Sequence, residues 1–289
     1  MAASEALSGV DLGRADIASA ILLSTEAGWN QTEEDWEHFV ARGRVHGLRN
    51  GRGRLVASAA ELPFDGPFGF ISMVLVTPDY RRRGLATTLV DRCIAGLHAG
   101  GRTPVLDATA AGAEVYRRQG FLPQFTFDRW EGVAQGRQAG GQAGMAASPL
   151  ADDALAGAVA LDADVAGAGR GALIADFAAR QDTHAVVTGA AVTGAVDGYG
   201  LVRRGRRAWQ AGPVVAGSEA GALDLIRRLF DRVAGTLFID VLSAWKGIGA
   251  WLSAQGFSIQ RSFTRMAHQR AQPFGDPRRL FAVAGPEFG

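Results

Sequence analysis

The sequence has almost no cysteine, and this excludes two kinds of stabilisation. Its single cysteine, Cys93, rules out an internal disulfide and a metal site with several cysteine ligands. Cys93 falls in a helical pattern beside Leu89 and Leu97, so we expect a core thiol rather than a nucleophile. The five histidines show no ligand spacing, so no metal site is expected. A low cysteine content is typical of a reducing compartment, and we expect a cytoplasmic protein.

Long apolar runs and an excess of one charge are also missing. No uninterrupted apolar run has the ~18 residues that a membrane helix needs. The first residues contain acids without a basic start, so we expect no signal peptide. The 30 basic and 29 acidic residues give a formal net charge of +1. Because nucleic-acid-binding proteins usually have a basic excess, we expect neither a nucleic-acid partner nor a membrane partner.

The apolar content and the length of the chain are sufficient for two domains. Apolar residues make up 47% of the 289-residue chain, so each half can bury a core of its own. Residues 131–148 contain five glycines and no periodicity, which is typical of a connection. We therefore predict a domain over residues 1–132, a Gly/Ala-rich linker over 133–148 and a second domain over 149–289.

Hydrophobic periodicity predicts alternating helices and strands in both halves, and therefore an α/β (α+β) fold. Thr32, which precedes three acidic residues, is predicted to be a helix N-cap. In the first half, helices are predicted over residues 11–24, 32–39, 85–98 and 113–119, and strands over 55–61, 68–76, 104–107 and 125–130. In the second half, helices are predicted over 151–159, 171–179, 219–233 and 249–255, and strands over 185–188, 197–203, 207–215, 236–241 and 258–266.

The two halves align with each other when the first is shifted by 136 positions. Element order, spacing and element type then agree, with one short insertion or deletion. The matching pairs are Leu89-Val90-Asp91-Arg92 with Leu225-Ile226-Arg227-Arg228, Gly120-Phe121 with Gly256-Phe257, Arg129 with Arg265, and Asp107 with Asp240. Because solenoid repeats are much shorter, this repeat predicts two copies of one domain fold.

The stretch from Val74 to Thr87 is the most informative for chemistry. A β-branched strand ends at Pro78, three arginines and Gly84 follow, and a helix is predicted to begin at Leu85. In this order of elements, backbone N–H groups and a helix N-terminus point to the same place, which favours the binding of an anion there. Glycine lets the backbone approach closely, and arginine forks match a pyrophosphate. The alternative is a solvated basic turn between a strand and a helix.

This stretch resembles the pyrophosphate loop of the GCN5-related N-acetyltransferase (GNAT) superfamily. The loop has the form Gln/Arg-x-x-Gly-x-Gly/Ala, which Arg81, Gly84 and Ala86 match. A downstream Tyr-x-x-x-Gly-Phe, from Tyr116 to Phe121, also matches. The resemblance implies two tandem GNAT folds, each with a mixed, mostly antiparallel sheet flanked by helices. It also implies an enzyme that uses acetyl-CoA as cosubstrate.

The resemblance assigns roles to individual residues. The pantetheine arm would lie along the strand before the loop, and Tyr116 would protonate the leaving thiolate; the alternative for Tyr116 is packing in the core. Thr109 stands where many family members have asparagine, and it would bond the cofactor arm in place of that residue. The residues implied at acetyl-CoA are Leu75, Val76, Arg81, Arg82, Arg83, Gly84, Leu85, Ala86, Thr87 and Thr109.

The sequence specifies the residues that would bind the acceptor amine less closely than those that would bind acetyl-CoA. Trp29 and Trp36 are predicted to wall a substrate pocket, although packing against the sheet is the alternative for both. Asp107 would orient the substrate amine or cap a turn, and Asp240 would complete the pocket from the second half. An amine must lose a proton before attack, so a base or a water chain is needed. The base candidates are Glu33, Asp35, His38, Glu61 and Asp107.

The second copy lacks the residues of this chemistry. At the 136 offset the three arginines become Gly217, Ser218 and Glu219, Gly84 becomes Ala220, and Tyr116 becomes Leu252. A carboxylate would repel a pyrophosphate, and leucine has no proton to donate. We therefore expect no acetyl-CoA site in the second copy.

The sequence as a whole predicts an N-acetyltransferase that acts by direct attack in its N-terminal half. A small-molecule amine is the expected acceptor. The alternatives are a protein lysine or N-terminal acetyltransferase, and a non-enzymatic acyl-CoA sensor. We expect a monomer or a homodimer.

Overall fold

The structure, a computed structural model, describes residues 6–136, 150–189 and 195–289. The first half of the chain contains β1 (Ser8–Asp11), α1 (Ile17–Glu26), α2 (Glu33–Arg42), β2 (Arg44–Arg49), β3 (Leu55–Pro63), β4 (Phe68–Val76), α3 (Leu85–Ala99), β5 (Thr103–Thr109), α4 (Ala110–Arg118) and β6 (Phe121–Gln135). The second half contains α5 (Asp152–Ala166), α6 (Gly171–Ala179), β7 (Thr183–Gly189), β8 (Val196–Arg204), β9 (Trp209–Val215), α7 (Glu219–Phe230), β10 (Ala234–Leu242), α8 (Lys246–Ala254), β11 (Ser258–His268) and β12 (Leu280–Ala282).

Each predicted helix and strand is present, with ends that differ by several residues in places. The predicted Thr32 cap is also present, because its hydroxyl accepts a bond from the Asp35 N–H and the Asp35 carboxylate accepts one from the Thr32 N–H. β1, β2 and β12 were not predicted from the sequence. β1 and β12 have only four and three residues, and β2 lacks a strict alternation of apolar and polar residues.

In the described part of the chain, twelve strands form one sheet in the order β1-β2-β3-β4-β5-β11-β6-β10-β12-β9-β8-β7. The β4–β5 and β9–β10 pairs are parallel and the other described pairs are antiparallel. The predicted mixed, mostly antiparallel sheet flanked by helices is therefore confirmed. We refer to the described residues up to 136 as the first copy and to those from 150 onward as the second copy.

The two copies exchange a strand. β11 of the second copy lies between β5 and β6, and β6 of the first copy lies between β11 and β10. Each copy therefore completes its part of the sheet with a strand from the other. The exchange corrects the predicted linker over 133–148, because β6 continues to Gln135, which pairs with Ala234. Residues 137–149 of that linker lie outside the described residues.

Two buried ion pairs join the copies across the exchanged strands. On β5 and β11, both Asp107 oxygens accept bonds from the Arg265 guanidinium, at 2.8 and 2.7 Å. On β6 and β10, both Asp240 oxygens accept bonds from Arg129, at 2.9 and 2.8 Å. Each pair is in direct register, and both aspartate side chains are inaccessible to solvent. In the sequence repeat Asp107 matches Asp240, and Arg129 matches Arg265. Each aspartate therefore binds the matching arginine of the other copy.

The core extends from one copy into the other. After β12 the chain crosses to the first copy, where the ring of Phe288 stacks on that of Phe39 with a centroid distance of 4.9 Å. Cys93 is buried in the core, and burial raises the pKa of its thiol, as expected for an inert residue. Among the described helices, none has the length and apolar character that a membrane span requires.

Candidate active site

A gap opens in the sheet where β4 and β5 separate. The two strands pair at three positions, from Phe68 with Thr103 to Phe70 with Val105. Beyond these pairs, residues 71–74 of β4 and 106–109 of β5 line a common cavity. We call this gap the first slot.

A bulge shapes the β4 wall of the first slot. Met73 and Val74 lie opposite the single residue Ala59 of β3, and Met73 has a φ of 50°. This left-handed conformation is uncommon for a residue with a side chain. The Ser58 hydroxyl donates a bond of 2.8 Å to the Met73 carbonyl and so holds the bulge. Bulges of this kind turn the backbone out of the ladder and occur often beside active sites.

The loop after β4 leads directly into the N-terminus of α3. Gly84 is the N-cap residue, with a φ of 75°, and it provides no capping side chain. The first backbone bond into the helix runs from the Thr88 N–H to the Gly84 carbonyl at 3.0 Å. The amides of residues 85–87 precede that bond and are available to an anion.

The loop arginines are exposed around this helix end. Arg81 donates through Nε to the Val76 carbonyl at 3.0 Å, and Arg83 lies over the Tyr80 ring at 4.8 Å. Both contacts leave guanidinium N–H groups for an anionic ligand. The loop residues and the helix end therefore fit a diphosphate.

The first slot widens into a cavity of about 190 Å³ that both copies enclose. We call it the main cavity. The first copy contributes residues from the α1–α2 connection, β4, β5, α4 and β6, among them Gly28, Trp29, Gln31, Ser72, Tyr116 and Arg129. The second copy contributes Arg207, Phe238, Gln260, Arg261, Phe263, Pro286 and Glu287.

The equivalent gap in the second copy, which we call the second slot, is filled by the chain itself. β9 and β10 also pair at three positions, from Trp209 with Leu237 to Ala211 with Ile239. Beyond these pairs β12 lies between the strands, and its Ala282 pairs with Val214 on one side and Val241 on the other. The slot therefore has its backbone groups paired and its width occupied.

The helix end beside the second slot is also satisfied internally. The Ser218 hydroxyl caps α7 by accepting a bond of 3.2 Å from the Gly221 N–H. The Glu219 carboxylate accepts a bond of 3.0 Å from the Ile248 N–H of α8. Leu252, at the position of Tyr116, is completely buried.

Comparison with known proteins identifies the family. The profile of the acetyltransferase (GNAT) family matches residues 18–121, and that of an acetyltransferase (GNAT) domain matches residues 158–282. The chain belongs to the GNAT acetyltransferase family. It contains two GNAT domains in tandem, and membership implies acetyl transfer from acetyl-CoA.

Solved structures share the fold over most of the chain. A proposed acetyltransferase from Pyrococcus horikoshii has a TM-score of 0.78 and 17% identity, and the match covers 100% of this chain and 98% of that one. A tandem GNAT protein from the clavulanic acid biosynthesis pathway has a TM-score of 0.58 and 18% identity, covering 91% and 98%. A GCN5-related N-acetyltransferase from Sphaerobacter thermophilus has a TM-score of 0.61 and 14% identity, covering 93% and 97%. No curated protein sequence matches the chain.

Four residues that the sequence analysis selected line the main cavity of this GNAT protein: Trp29, Asp107, Thr109 and Tyr116. The Thr109 hydroxyl also caps α4, accepting a bond of 3.4 Å from the Gly112 N–H. Asp107 has its carboxylate occupied by Arg265, and burial raises its pKa against the opposing effect of that arginine. Burial, with a smaller effect of Cys93, raises the pKa of Tyr116 to about 12.

Two of the predicted substrate residues lie elsewhere. Trp36 is completely buried in the core, and its indole N–H donates to the Ser24 hydroxyl at 3.2 Å, so it walls no substrate pocket. Asp240 is held by Arg129 and Gln210 behind the cavity wall rather than in it. Leu75 and Val76 follow the β4 residues that line the cavity and lead to the loop.

The base candidates other than Asp107 contact other residues or lie away from the main cavity. Asp35 forms an ion pair of 2.7 Å with Arg180, and His38 lies 3.2 Å from Asp176. Glu61 lies 3.7 Å from His46, and Glu33 is exposed in the first turn of α2. Of the five candidates, Asp107 alone lines the main cavity within the described ranges.

Glu287 is a cavity residue that the sequence analysis missed. It lies in the segment after β12, is 8% exposed, and has a carboxylate oxygen 3.5 Å from Arg203. Burial raises the pKa of Glu287, and Arg203 opposes this effect. The short run Gly285-Pro286-Glu287-Phe288-Gly289 carries no periodic signal, and its distant packing partner Phe39 is invisible to local pattern analysis.

Proposed function

We propose that this protein is an acetyl-CoA-dependent N-acetyltransferase with its active site in the first copy. The difference between the slots carries the proposal, because the first slot opens into the main cavity and β12 fills the second. The helix ends differ in the same sense, since Gly84 leaves amides available and Ser218 caps its own helix.

The residues of the first copy fit acetyl-CoA from end to end. Arg81 to Thr87 would hold the diphosphate with backbone amides and guanidinium groups. The splayed part of β4 would run beside the pantetheine arm, as Leu75 and Val76 imply. Acetyl-CoA supplies an activated thioester carbonyl, and N–H groups at the Met73 bulge would stabilise the negative charge that develops on its oxygen.

The chemical step is a direct transfer. The lone pair of a neutral amine forms a C–N bond to the thioester carbonyl carbon, and the C–S bond breaks with its electron pair going to sulfur. Tyr116 gives its proton to that sulfur and recovers one from the nitrogen, so the products are an amide and a thiol. Because the pKa of Tyr116 is raised to about 12, the phenol carries its proton at neutral pH.

A small-molecule acceptor is favoured over a protein side chain. Both copies wall the main cavity, and its volume is about 190 Å³. Trp29 lines it from the α1–α2 connection, as expected for a substrate wall. A protein lysine would need room for the chain on either side of it, whereas a cavity of this size, walled by both copies, suits a compact amine.

The test is release of free thiol from acetyl-CoA with a panel of small amines, using wild type and Tyr116→Phe. The proposal expects amine-dependent release by wild type and unchanged acetyl-CoA binding with a large loss of turnover in the variant. A non-enzymatic acyl-CoA sensor would bind acetyl-CoA without release by either protein. Release that needs a peptide lysine and fails with small amines would favour the protein acetyltransferase.

A further inference from the structure

Two residues that line the main cavity each have a buried side-chain oxygen without a hydrogen-bond partner in the part of the chain that the structure describes. The two oxygens are Oε1 of Gln31, whose residue is 4% exposed, and Oγ of Ser72, whose residue is 6% exposed. Buried polar atoms are nearly always paired in native proteins. Unpaired oxygens on two residues that line one cavity indicate a ligand with hydrogen-bond donors, which a side-chain rotation would bring into contact with them.

Glu287 adds a carboxylate to the same cavity. Its 3.5 Å separation from Arg203 is longer than a charge-assisted hydrogen bond, so the carboxylate keeps accepting capacity. Its position is fixed because the next residue, Phe288, stacks on Phe39. With Gln31 and Ser72 it makes a set of oxygen acceptors, and an ammonium group provides three donors.

Two arginines of the main cavity lack an acidic partner. Within the described ranges, neither Arg207 nor Arg261 forms an ion pair with a carboxylate. Their side chains donate instead to neutral oxygens, Arg207 to the Gly28 carbonyl and Arg261 to the Gln260 side chain. Burial, and next the nearby Arg129, lower the pKa of Arg261, so an added anion would stabilise its charge.

The other charges of the cavity are already balanced. Asp107 is matched by Arg265, and Arg129 is matched by Asp240, each through two hydrogen bonds. What remains is the Glu287 carboxylate, whose partner Arg203 lies 3.5 Å away and leaves it accepting capacity, and two guanidinium groups without a carboxylate partner among the described residues. This distribution is complementary to a molecule that carries both an ammonium and an anion.

We propose that the acceptor is a small amine that also bears a carboxylate, as a free amino acid does. Its amino group would be received by Gln31, Ser72 and Glu287, and its carboxylate by Arg207 and Arg261, whose forks match carboxylate geometry. This inference rests on the proposed acetyltransferase function. The competing use of the two arginines is to bind phosphates of acetyl-CoA.

The test compares amino acids with their decarboxylated amines in the thiol-release assay. Pairs such as lysine with cadaverine and phenylalanine with phenethylamine keep the amine and remove the carboxylate. We expect at least one amino acid to exceed its amine in kcat/KM by about tenfold or more. Arg207→Gln with Arg261→Gln should reduce that ratio toward one, whereas Arg204→Gln, an exposed arginine on β8 that does not line the cavity, should preserve it.

The outcomes separate this inference from the function on which it rests. Absence of acetyl-CoA binding in calorimetry would contradict the proposed function itself. Acetyl-CoA binding without acetylation of any amino acid, or equal kcat/KM for both members of every pair, overturns the inference alone. A double arginine variant that weakens acetyl-CoA binding and leaves the ratio unchanged assigns the arginines to phosphates and also overturns it. Melting curves of each variant show whether the fold is intact.

Discussion

The two slots begin in the same way and end differently. In each copy a parallel pair of strands keeps three paired positions and then separates. In the first copy the separation leads to the main cavity, and in the second β12 pairs with both separated strands. The second copy therefore keeps its splayed strands with the gap between them closed, because a three-residue strand satisfies their backbone groups.

The helix ends differ in the same way. The Gly84 end of α3 has no side chain that caps its amides, whereas in the second copy the Ser218 hydroxyl caps α7 and the Glu219 carboxylate accepts a bond from the first turn of α8. A site for an anion and a well-capped helix are alternatives at one position.

Replacing the tyrosine of the first copy should have the largest effect. Tyr116→Phe removes the proposed proton donor, and we expect turnover to fall by about 10²–10⁴-fold while the Kd for acetyl-CoA stays within a few-fold. The matched change in the second copy, Leu252→Ala, should lower stability without this specific loss of turnover. Steady-state kinetics with calorimetry measures both. A Tyr116→Phe enzyme with normal turnover would assign the proton to another donor.

Removing either acid of the exchanged ion pairs should destabilise both copies alike. Asp107→Ala and Asp240→Ala each leave a buried arginine without its partner, which costs about 3–5 kcal/mol of unfolding free energy. The two aspartates differ in position relative to the candidate site, since Asp107 lines the main cavity and Asp240 does not. Denaturant unfolding should show two similar losses. A loss below about 1 kcal/mol for either would mean that the pair contributes little.

Shortening a side chain of β12 should cost stability and restore no binding in the second slot. Phe281 of β12 is completely buried and its ring stacks on Trp245 at 4.3 Å. Phe281→Ala should lower the unfolding free energy by about 3 kcal/mol because it leaves a cavity. The acetyl-CoA stoichiometry should stay the same, since Ser218 still caps α7. A second binding site in this variant would show that the Phe281 ring, and not the paired backbone of β12, blocks the second slot.

The smallest expected effect concerns the two helix caps. Ser218→Ala removes the hydroxyl that caps α7 and should cost about 1 kcal/mol. Gly84→Ser introduces a hydroxyl at the other cap but requires a side chain at a φ of 75°, and should weaken acetyl-CoA binding more than it changes stability. Melting temperatures and binding isotherms distinguish the two. Equal effects on binding would contradict the assigned difference between the caps.

Local patterns predicted much of this structure and long-range pairing could not be predicted. The β4 strand, the loop from Arg81 to Gly84 and the Thr32 cap follow from neighbouring residues, and the structure has all three. The repeat in the sequence showed that Arg129 corresponds to Arg265. It did not show that β6 and β11 are exchanged between the copies. Strands of both copies carry the same pattern, so either pairing satisfies it.

The residues of the candidate site were likewise predicted only in part. Trp29 and Trp36 have similar sequence surroundings, and α2 turns Trp36 into the core while the preceding connection leaves Trp29 at the cavity. Glu287 reaches the cavity because Phe288 packs on residues far away in the chain. Such placements depend on tertiary packing, which a window of sequence does not contain.

Calorimetric titration of acetyl-CoA into wild type, Gly84→Glu and Ala220→Glu tests the central difference between the copies most directly. We predict one site per chain in wild type and in Ala220→Glu, where the new carboxylate stands on an exposed turn of a helix that Ser218 already caps. We predict a loss of affinity of at least about 100-fold in Gly84→Glu, because its carboxylate and strained φ oppose a diphosphate at the helix end. Two sites per chain, or loss of binding in Ala220→Glu instead, would contradict the account.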